Sequence, residues 1–503
     1  MTESLEISKQ ENMLSRLVKL TSLVNGFSKV KFKEENDREL PFGFMLITLM
    51  ASCGLSPYES FKRLRFTPVL PFIKNESNEI VRQVEVLNKD PLTSMLKRAE
   101  QTGSKVYGEF LRGYVSTVNS GGEVTSYLKS KLRSVFEIQA AAAVRSIERL
   151  ETLVEAFTVM LLVLLCSFIL LTVMSSSDIL SSSLGVSFGW QSLTTIIVFV
   201  VMPLGSLLFM YLANRMQKST LLNLNAIYHK AIPTTLGCFV VLILAILVQP
   251  VQDIVKMIGE PIFATVLLVA ISILPMISYR RMIGLNMKAE EATPSFLRDI
   301  CESRKTGVSP EKSIVQAATH KGYGSFTEVL KRIIDQLEWG MPLRSIFRDV
   351  SERIRSWPVL ANFYILIETM EVGGGSPEAL ELLADYSEKI RDVEKNKRAM
   401  LKPYLIMPFI WSVLMIVTFT FTFLVMAQIP AMLQPGTQLT YVQPQLNLYS
   451  SAMIFQCWLS GFFTGKVTTG TFASGFEFSM ILAVVALLSF LFSQNIMSLF
   501  IGV

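Results

Sequence analysis

The one stretch that imitates a reactive motif is GFFTGKVTTG, residues 461–470. A phosphate-cradling P-loop needs four residues between its glycines and a Ser or Thr after its lysine to hold Mg²⁺. Here three residues separate Gly461 from Gly465, and Val467 follows Lys466. The stretch also leaves an apolar run rather than a strand. It predicts a close helix contact through Gly461 and Gly465, with Lys466 at the inner membrane interface. The triplet Gly373, Gly374 and Gly375 could cradle an anion, but with Ser376 and Pro377 behind it the triplet reads as a flexible turn opening a helix. His229 and His320 are isolated, HExxH is absent, and no apolar run holds the paired acids of an intramembrane aspartyl protease. Cys53, Cys166, Cys238, Cys301 and Cys457 are scattered without a CxxC pair, and three of them lie in apolar runs, where a thiol behaves as a small hydrophobe. The expectation is a protein with no catalytic residues, no metal and no cofactor.

What must position these residues is a membrane protein. Half of the 503 residues are hydrophobic and 17% are charged, where a soluble domain carries about a quarter. Of the 47 Lys and Arg, 42 fall in residues 1–153 and 280–402, as do 36 of the 41 Asp and Glu. Two polar blocks are therefore embedded in an almost uncharged chain. A charge at the bilayer centre costs roughly 2.5–3.5 kcal/mol, so charge-free windows of about 20 residues mark the spans. Seven are expected: four between Glu155 and Arg280, two near 404–427 and 448–465 in the window between Lys402 and Lys466, and one near 478–500. The start MTESLEISKQENML lacks the basic, apolar and small-residue regions of a signal peptide, so the first block is expected to stay on the side of synthesis. Basic short loops agree. Arg215, Lys218 and Lys230 lie on one connector, Arg280, Arg281 and Lys288 follow one span, and Lys395, Lys397, Arg398 and Lys402 precede another. The opposite loops at 175–189 and 428–447 have no Lys or Arg, and 250–260 has only Lys256. The N-terminus and both polar blocks are expected in the cytoplasm and the C-terminus outside. No polybasic run with interleaved aromatics appears, so nucleic acid is not an expected partner.

The chain repeats itself. CGLSPYESFKRL at 53–64 pairs with TGVSPEKSIVQA at 306–317, so Gly54, Ser56, Pro57 and Ser60 match Gly307, Ser309, Pro310 and Ser313. DPLTSML at 90–96 pairs with MPLRSIF at 341–347, and SGGEVTSYL, with Gly121 and Gly122, pairs with GGGSPEALE. The unit is a helical domain plus three spans, used twice at a near-constant offset. The span at 261–279 has no counterpart, and that extra crossing returns the second domain to the same side as the first. The expected organisation is an N-terminal segment 1–41, a helical domain 42–153, four spans in 154–279, a second helical domain 280–402 and three spans in 403–503. The fold class is all-α and polytopic, about seven transmembrane helices with two duplicated cytoplasmic helical bundles. Gly-x-Ser-Pro is helix-to-helix punctuation: glycine for a left-handed C-cap, serine for an N-cap, proline for the first helical position. From Ala379 the apolar Leu383, Tyr386, Ile390 and Val393 recur on one helical face. Glu378, Glu381 and Asp385 crowd the start of that helix and Lys395, Lys397 and Arg398 its end, as the helix dipole favours.

These repeats resemble the F domain of the type II secretion system. Two such domains with extra spans are similar to the archaeal platform proteins of type IV filaments, the archaella and adhesive pili. GFFTGKVTTGTFASGF also looks like the Gly-Lys turn those archaeal members carry before the last span. The resemblance implies an inner-membrane platform without catalysis. A hexameric cytoplasmic ATPase docks on the soluble domains, and its motion lifts pilin or archaellin subunits out of the bilayer. It also implies a homodimer. Bacterial relatives have an acid beside the glycine turn; Glu368 and Glu371 match it in the second copy, whereas the first copy has only Glu123, after its turn. The expected docking surface includes Arg344, Arg348, Arg353 and Arg355, and the face of Gly461 and Gly465 is the first candidate for pilin contact. The alternative is a polytopic transporter or receptor, but a coupled transporter holds ionisable groups near the midplane, and none of the seven windows has one.

Overall fold

Residues 38–181, 190–217, 221–222, 224–247, 255, 259–320, 322–433 and 442–501 are described by a computed structural model. The segment 1–37 lies outside them, as do most of the bare outer loops. The described residues form helices and no strand. The first helices are α1 (38–52), α2 (Pro57–Leu64), α3 (Pro71–Glu85), α4 (Pro91–Gln101), α5 (Lys105–Asn119) and the 58-residue α6 (Val124–Ser181). After α7 (Trp190–Ile196), a π segment over Ile197–Val201 leads into α8 (Met202–Met216), followed by α9 (Asn225–Leu247) and α10 (Glu260–Lys305). The second copy runs through α11 (Pro310–Thr319), α12 (Thr327–Glu338), α13 (Leu343–Arg353), α14 (Trp357–Gly373) and α15 (Pro377–Leu401). The chain ends with α16 (Met407–Leu433), α17 (Val442–Thr469) and α18 (Gly475–Ile501).

The starts of the short helices mostly follow the sequence grammar; Ser309 stands at the N-cap position of α11 but its hydroxyl makes no cap bond. Proline opens α2, α3, α4, α11 and α15, where its missing N–H costs nothing. Ser56, Asp90, Ser104 and Ser376 accept the backbone N–H three residues on, at 3.3, 3.1, 3.4 and 3.3 Å. Gly54 and Gly307 hold φ of +87° and +86°, so the same left-handed stop ends α1 and α10.

Two compact units result: residues up to 142 with 288–391, and 143–287 with 392–503. The first unit contains the polar parts of both copies. Its centre is α1 together with α14, a mostly apolar helix buried on every side from Val359 to Met370, with Asn362, Glu368 and Thr369 as its buried polar members. Each copy contributes an equivalent aromatic pair: Phe44 stacks on Phe110 at 4.0 Å, and Phe296, the counterpart of Phe44 in copy two, stacks on Phe363 at 5.8 Å. The copies then meet each other. Phe42 packs edge-on against Trp357 at 4.8 Å, whose indole N–H donates to the Val69 carbonyl at 3.0 Å, and Phe136 stacks on Tyr386 at 4.2 Å.

In the second unit, Phe168, Met202, Leu268, Phe419, Met453 and Phe490 share one apolar core. Five helices among the described residues are long and apolar enough to cross a membrane: Val124–Met174, Ser192–Met216, Glu260–Lys305, Pro403–Phe423 and Gly475–Ile496. α9 and α17 stand at the other two expected spans. α17 carries Gln445, Asn447 and Gln456 along its length, which lowers its hydropathy.

Candidate functional site

The glycine triplet anchors a junction of three turns in the first unit. Gly374 and Gly375 hold φ of +59° and +66°, a left-handed pair that turns the chain from α14 into α15. Arg304, at the end of α10, donates from Nη2 to the Gly374 carbonyl at 2.7 Å and from Nε to the Gly375 carbonyl at 2.9 Å. Its Nη1 reaches the Val308 carbonyl in the Gly-x-Ser-Pro turn of the same copy. One guanidinium thus ties both signature turns of copy two together. Copy one joins from the other side: a Cβ on Gly373 would lie 2.2 Å from Cys53 Sγ, so the turn at Cys53 and Gly54 sits directly on the glycine turn. Burial pushes the Cys53 thiol pKa up, and the neighbouring Ser376 hydroxyl partly offsets the rise. Beyond the turns, α10 and α15 are stitched by Arg298 to Asp385 and Glu388 at 2.7 and 3.0 Å, and by Lys305 to Glu381 at 3.3 Å.

The acids beside the turn divide by burial. Glu368 is buried on α14, with its side chain 2% exposed, and accepts from Arg344 at 3.0 Å. Glu371 pairs with the same guanidinium at 2.9 Å. The Tyr364 hydroxyl lies beside Glu368 and Thr67, and Arg63 of α2 adds a favourable charge, so this cluster lies on the seam between the copies. Desolvation raises the Glu368 pKa; the Arg344 charge, the Tyr364 hydroxyl and Arg63 oppose that rise. Copy one is not symmetric here. Glu123 is exposed beyond Gly121 and Gly122; the buried acids are Glu39, which accepts the Phe72 N–H at 2.7 Å, and Glu76, which takes two 2.7 Å bonds from Arg98.

Of the arginines expected to form a docking surface, Arg344 is engaged inside the fold by Glu368 and Glu371. Arg348 is exposed on α13. Arg353 lies 3.3 Å from Asp349 one turn earlier, and Arg355 is half-buried after the helix. Arg344 and Arg348, one turn apart, share the exposed face of α13, but the four do not form one free patch, because Arg344 is held by Glu368 and Glu371 and Arg353 by Asp349.

The stretch 461–470 is helical to Thr469. A Cβ on Gly461 would fall 2.3 Å from the Ser479 Cα, and one on Gly465 would fall 2.4 Å from the Gly475 nitrogen. α18 therefore packs against that face, the close helix contact expected through Gly461 and Gly465. Lys466 is buried, donates to the Gly470 carbonyl at 2.8 Å and lies 5.1 Å from the Phe472 ring centre. Gln217, with its amide turned to satisfy both ends, donates to the carbonyls of Lys466 and Val467 at 2.8 and 2.9 Å.

No local pattern in the sequence announces the roles of Arg304, Cys53, Gln217 or the Glu76 and Arg98 pair. Their partners lie in other helices and turns, remote along the chain. His320, isolated in the sequence, lies 3.0 Å from Asp299, which also accepts the buried Tyr323 hydroxyl. Among the described residues no group of three His, Cys, Asp or Glu could hold a metal ion.

Replacing Arg304 by methionine is expected to cost about 2 kcal/mol, since charge-assisted bonds to three carbonyls are lost while its stem can still pack. Hydrogen exchange should show amides 374–380 opening at least tenfold faster, with α1 unchanged. Unchanged protection would show that the guanidinium does not hold the turn.

Residues 44–172 and 296–424, just over half of the chain, each match the family model described as type II secretion system, protein F. The spacing of the two matches is that of the repeats. An uncharacterized protein of Methanocaldococcus jannaschii is similar to this chain, 23% identical over 478 residues that cover 91% of this chain and 79% of the relative. No solved structure matches.

Proposed function

Since the chain belongs to the type II secretion system protein F family, whose members are membrane platforms of type II secretion and type IV pilus systems, we propose that it is the platform of a type IV filament assembly machine in an archaeal cell membrane. The doubled F domain carries this reading, and the similar protein in an archaeon supports the archaeal setting. In this reading both polar blocks and the N-terminus are cytoplasmic and the C-terminus is outside, as the basic inner connectors favour. A hexameric secretion-type ATPase docks on the first unit, and pilin-like or archaellin subunits are the cargo moved through the second. The chain works as a homodimer and supplies no catalysis of its own; ATP hydrolysis belongs to the motor. The junction of three turns is where movement of one copy is passed to the other, since Arg304 and Cys53 bring both copies onto one glycine turn.

The test is crosslinking in native membranes with mass spectrometry, asking what touches residues 295–402. A secretion-type ATPase is expected there. Self-links and unrelated proteins alone would remove the docking reading and favour a transporter or receptor. Charge reversal at Arg348 together with Arg353 is expected to abolish filaments while membrane levels of the protein stay within about twofold, because surface substitutions away from packed features typically change stability by only about 0.5 kcal/mol. Normal filaments in that variant would take the docking surface away from α13.

A further inference from the structure

Two corners of the first unit expose apolar side chains at equivalent places in the repeat. Between α3 and α4, Val86 (73% exposed) and Leu87 face solvent; between α12 and α13, Trp339 (85% exposed) and Met341 do the same. Each corner turns on a left-handed residue, Asn88 at φ +50° and Gly340 at φ +72°, which hold the same place in the two copies. Asn88 is the one non-glycine residue with positive φ among the described residues. The backbone locks both displays. The Val86 and Leu87 N–H groups donate to the Arg82 carbonyl, the Trp339 N–H donates to Asp335 and the Met341 N–H donates to Gln336. A single exposed apolar residue needs no explanation, and Phe66 is of that kind: its copy-two counterpart, Ala318, is buried. The same apolar corner in both copies is a different matter. A tryptophan offers roughly 150–250 Å² of burial and is among the residues that anchor protein interfaces.

We propose that the two corners are paired anchor points for one homo-oligomeric cytoplasmic protein, each entering an apolar pocket on a different identical subunit; under the reading above, on which this rests, that protein is the motor ATPase. A chain that presents one corner twice fits a partner that presents one pocket several times. At the second corner Asp335 and Glu338 flank Trp339, which suits an anionic membrane surface poorly, whereas at the first Lys89 and Asp90 follow Asn88 and Glu85 is paired with Arg65. Two anchors on one ring also act together, so losing either removes the avidity of the pair.

The experiment uses the full chain in nanodiscs and the purified secretion-type ATPase of the same organism, with affinity read by biolayer interferometry. Trp339→Ser, and Val86→Ser with Leu87→Ser, are each expected to weaken binding at least tenfold, and all three together to abolish it. Trp339→Phe should retain most of the affinity, and Phe66→Ser should change it less than twofold. Wild-type affinity in the serine variants overturns the proposal while leaving ATPase docking intact. Variants that lose only self-association or only vesicle binding overturn it in favour of a second copy or a lipid surface. A wild-type chain that does not bind the ATPase overturns the docking reading itself, and this inference with it.

Discussion

Valine in place of Gly465 is expected to prevent the membrane unit from assembling. The first atoms its Cβ would meet are the backbone nitrogen and Cα of Gly475, at 2.4 and 2.5 Å, and backbone cannot swing aside as a flexible side chain can. Relief requires α17 and α18 to separate, and the loss propagates. Gly461 lies against Ser479 on the same seam, Gly475 lies against Phe462, and the Ser474 hydroxyl donates to the Gly465 carbonyl at 2.9 Å. Helices in a bilayer gain little from the hydrophobic effect against each other, so close van der Waals fit through small residues is what holds such a pair. Overpacking of this kind costs about 3 kcal/mol, a large share of the total stability of a domain. The measurement is recovery from membranes in mild detergent, followed by the thermal midpoint. Gly465→Val should fall to a small fraction of wild-type yield. Gly237→Ala, with nothing within 4 Å of the added carbon, should melt within a few degrees of wild type. A valine variant recovered at full yield with an unchanged midpoint would mean the seam is not tight.

The second large effect is expected at the seam between the copies. Removing Arg344 leaves Glu368 buried with Tyr364 and the more remote Arg63 as its favourable neighbours. Breaking a fully buried pair costs about 3–5 kcal/mol, but the Arg344 side chain is 57% exposed and solvent screens it, so about 1–2 kcal/mol is expected at neutral pH. The sign with pH follows from the raised Glu368 pKa. Because the folded form holds its proton more tightly than the unfolded one, this group lowers stability as pH rises from the ordinary 4.5 through the folded value. Arg344→Ala should therefore destabilise more at pH 7 than at pH 4. Glu368→Gln should flatten the dependence and gain stability at pH 7, and adding it to Arg344→Ala should recover most of the loss. Chemical denaturation of the four proteins of the cycle at both pH values reads this directly. If the double variant were as unstable as Arg344→Ala, the buried carboxylate would not be the cause.

The sequence by itself determined the all-helical class, the membrane location and the duplication. Each of these is written locally: charge-free runs of bilayer length, and Gly-x-Ser-Pro stops whose φ, cap and first-turn proline depend on four adjacent residues. The left-handed Gly54 and Gly307, and the Ser376 cap before Pro377, follow directly from those letters. Periodicity also says which helical face is buried, but not against what. Only the tertiary structure decided that the polar parts of the two copies form one compact unit, that Arg344 serves a buried carboxylate, that Arg304 clamps two turns, and that α18 covers Gly461 and Gly465. The physical reason is distance along the chain. Phe42 meets Trp357 and Cys53 meets Gly373 across more than half its length, and such pairings are selected by the fit of finished helices, which no short stretch contains.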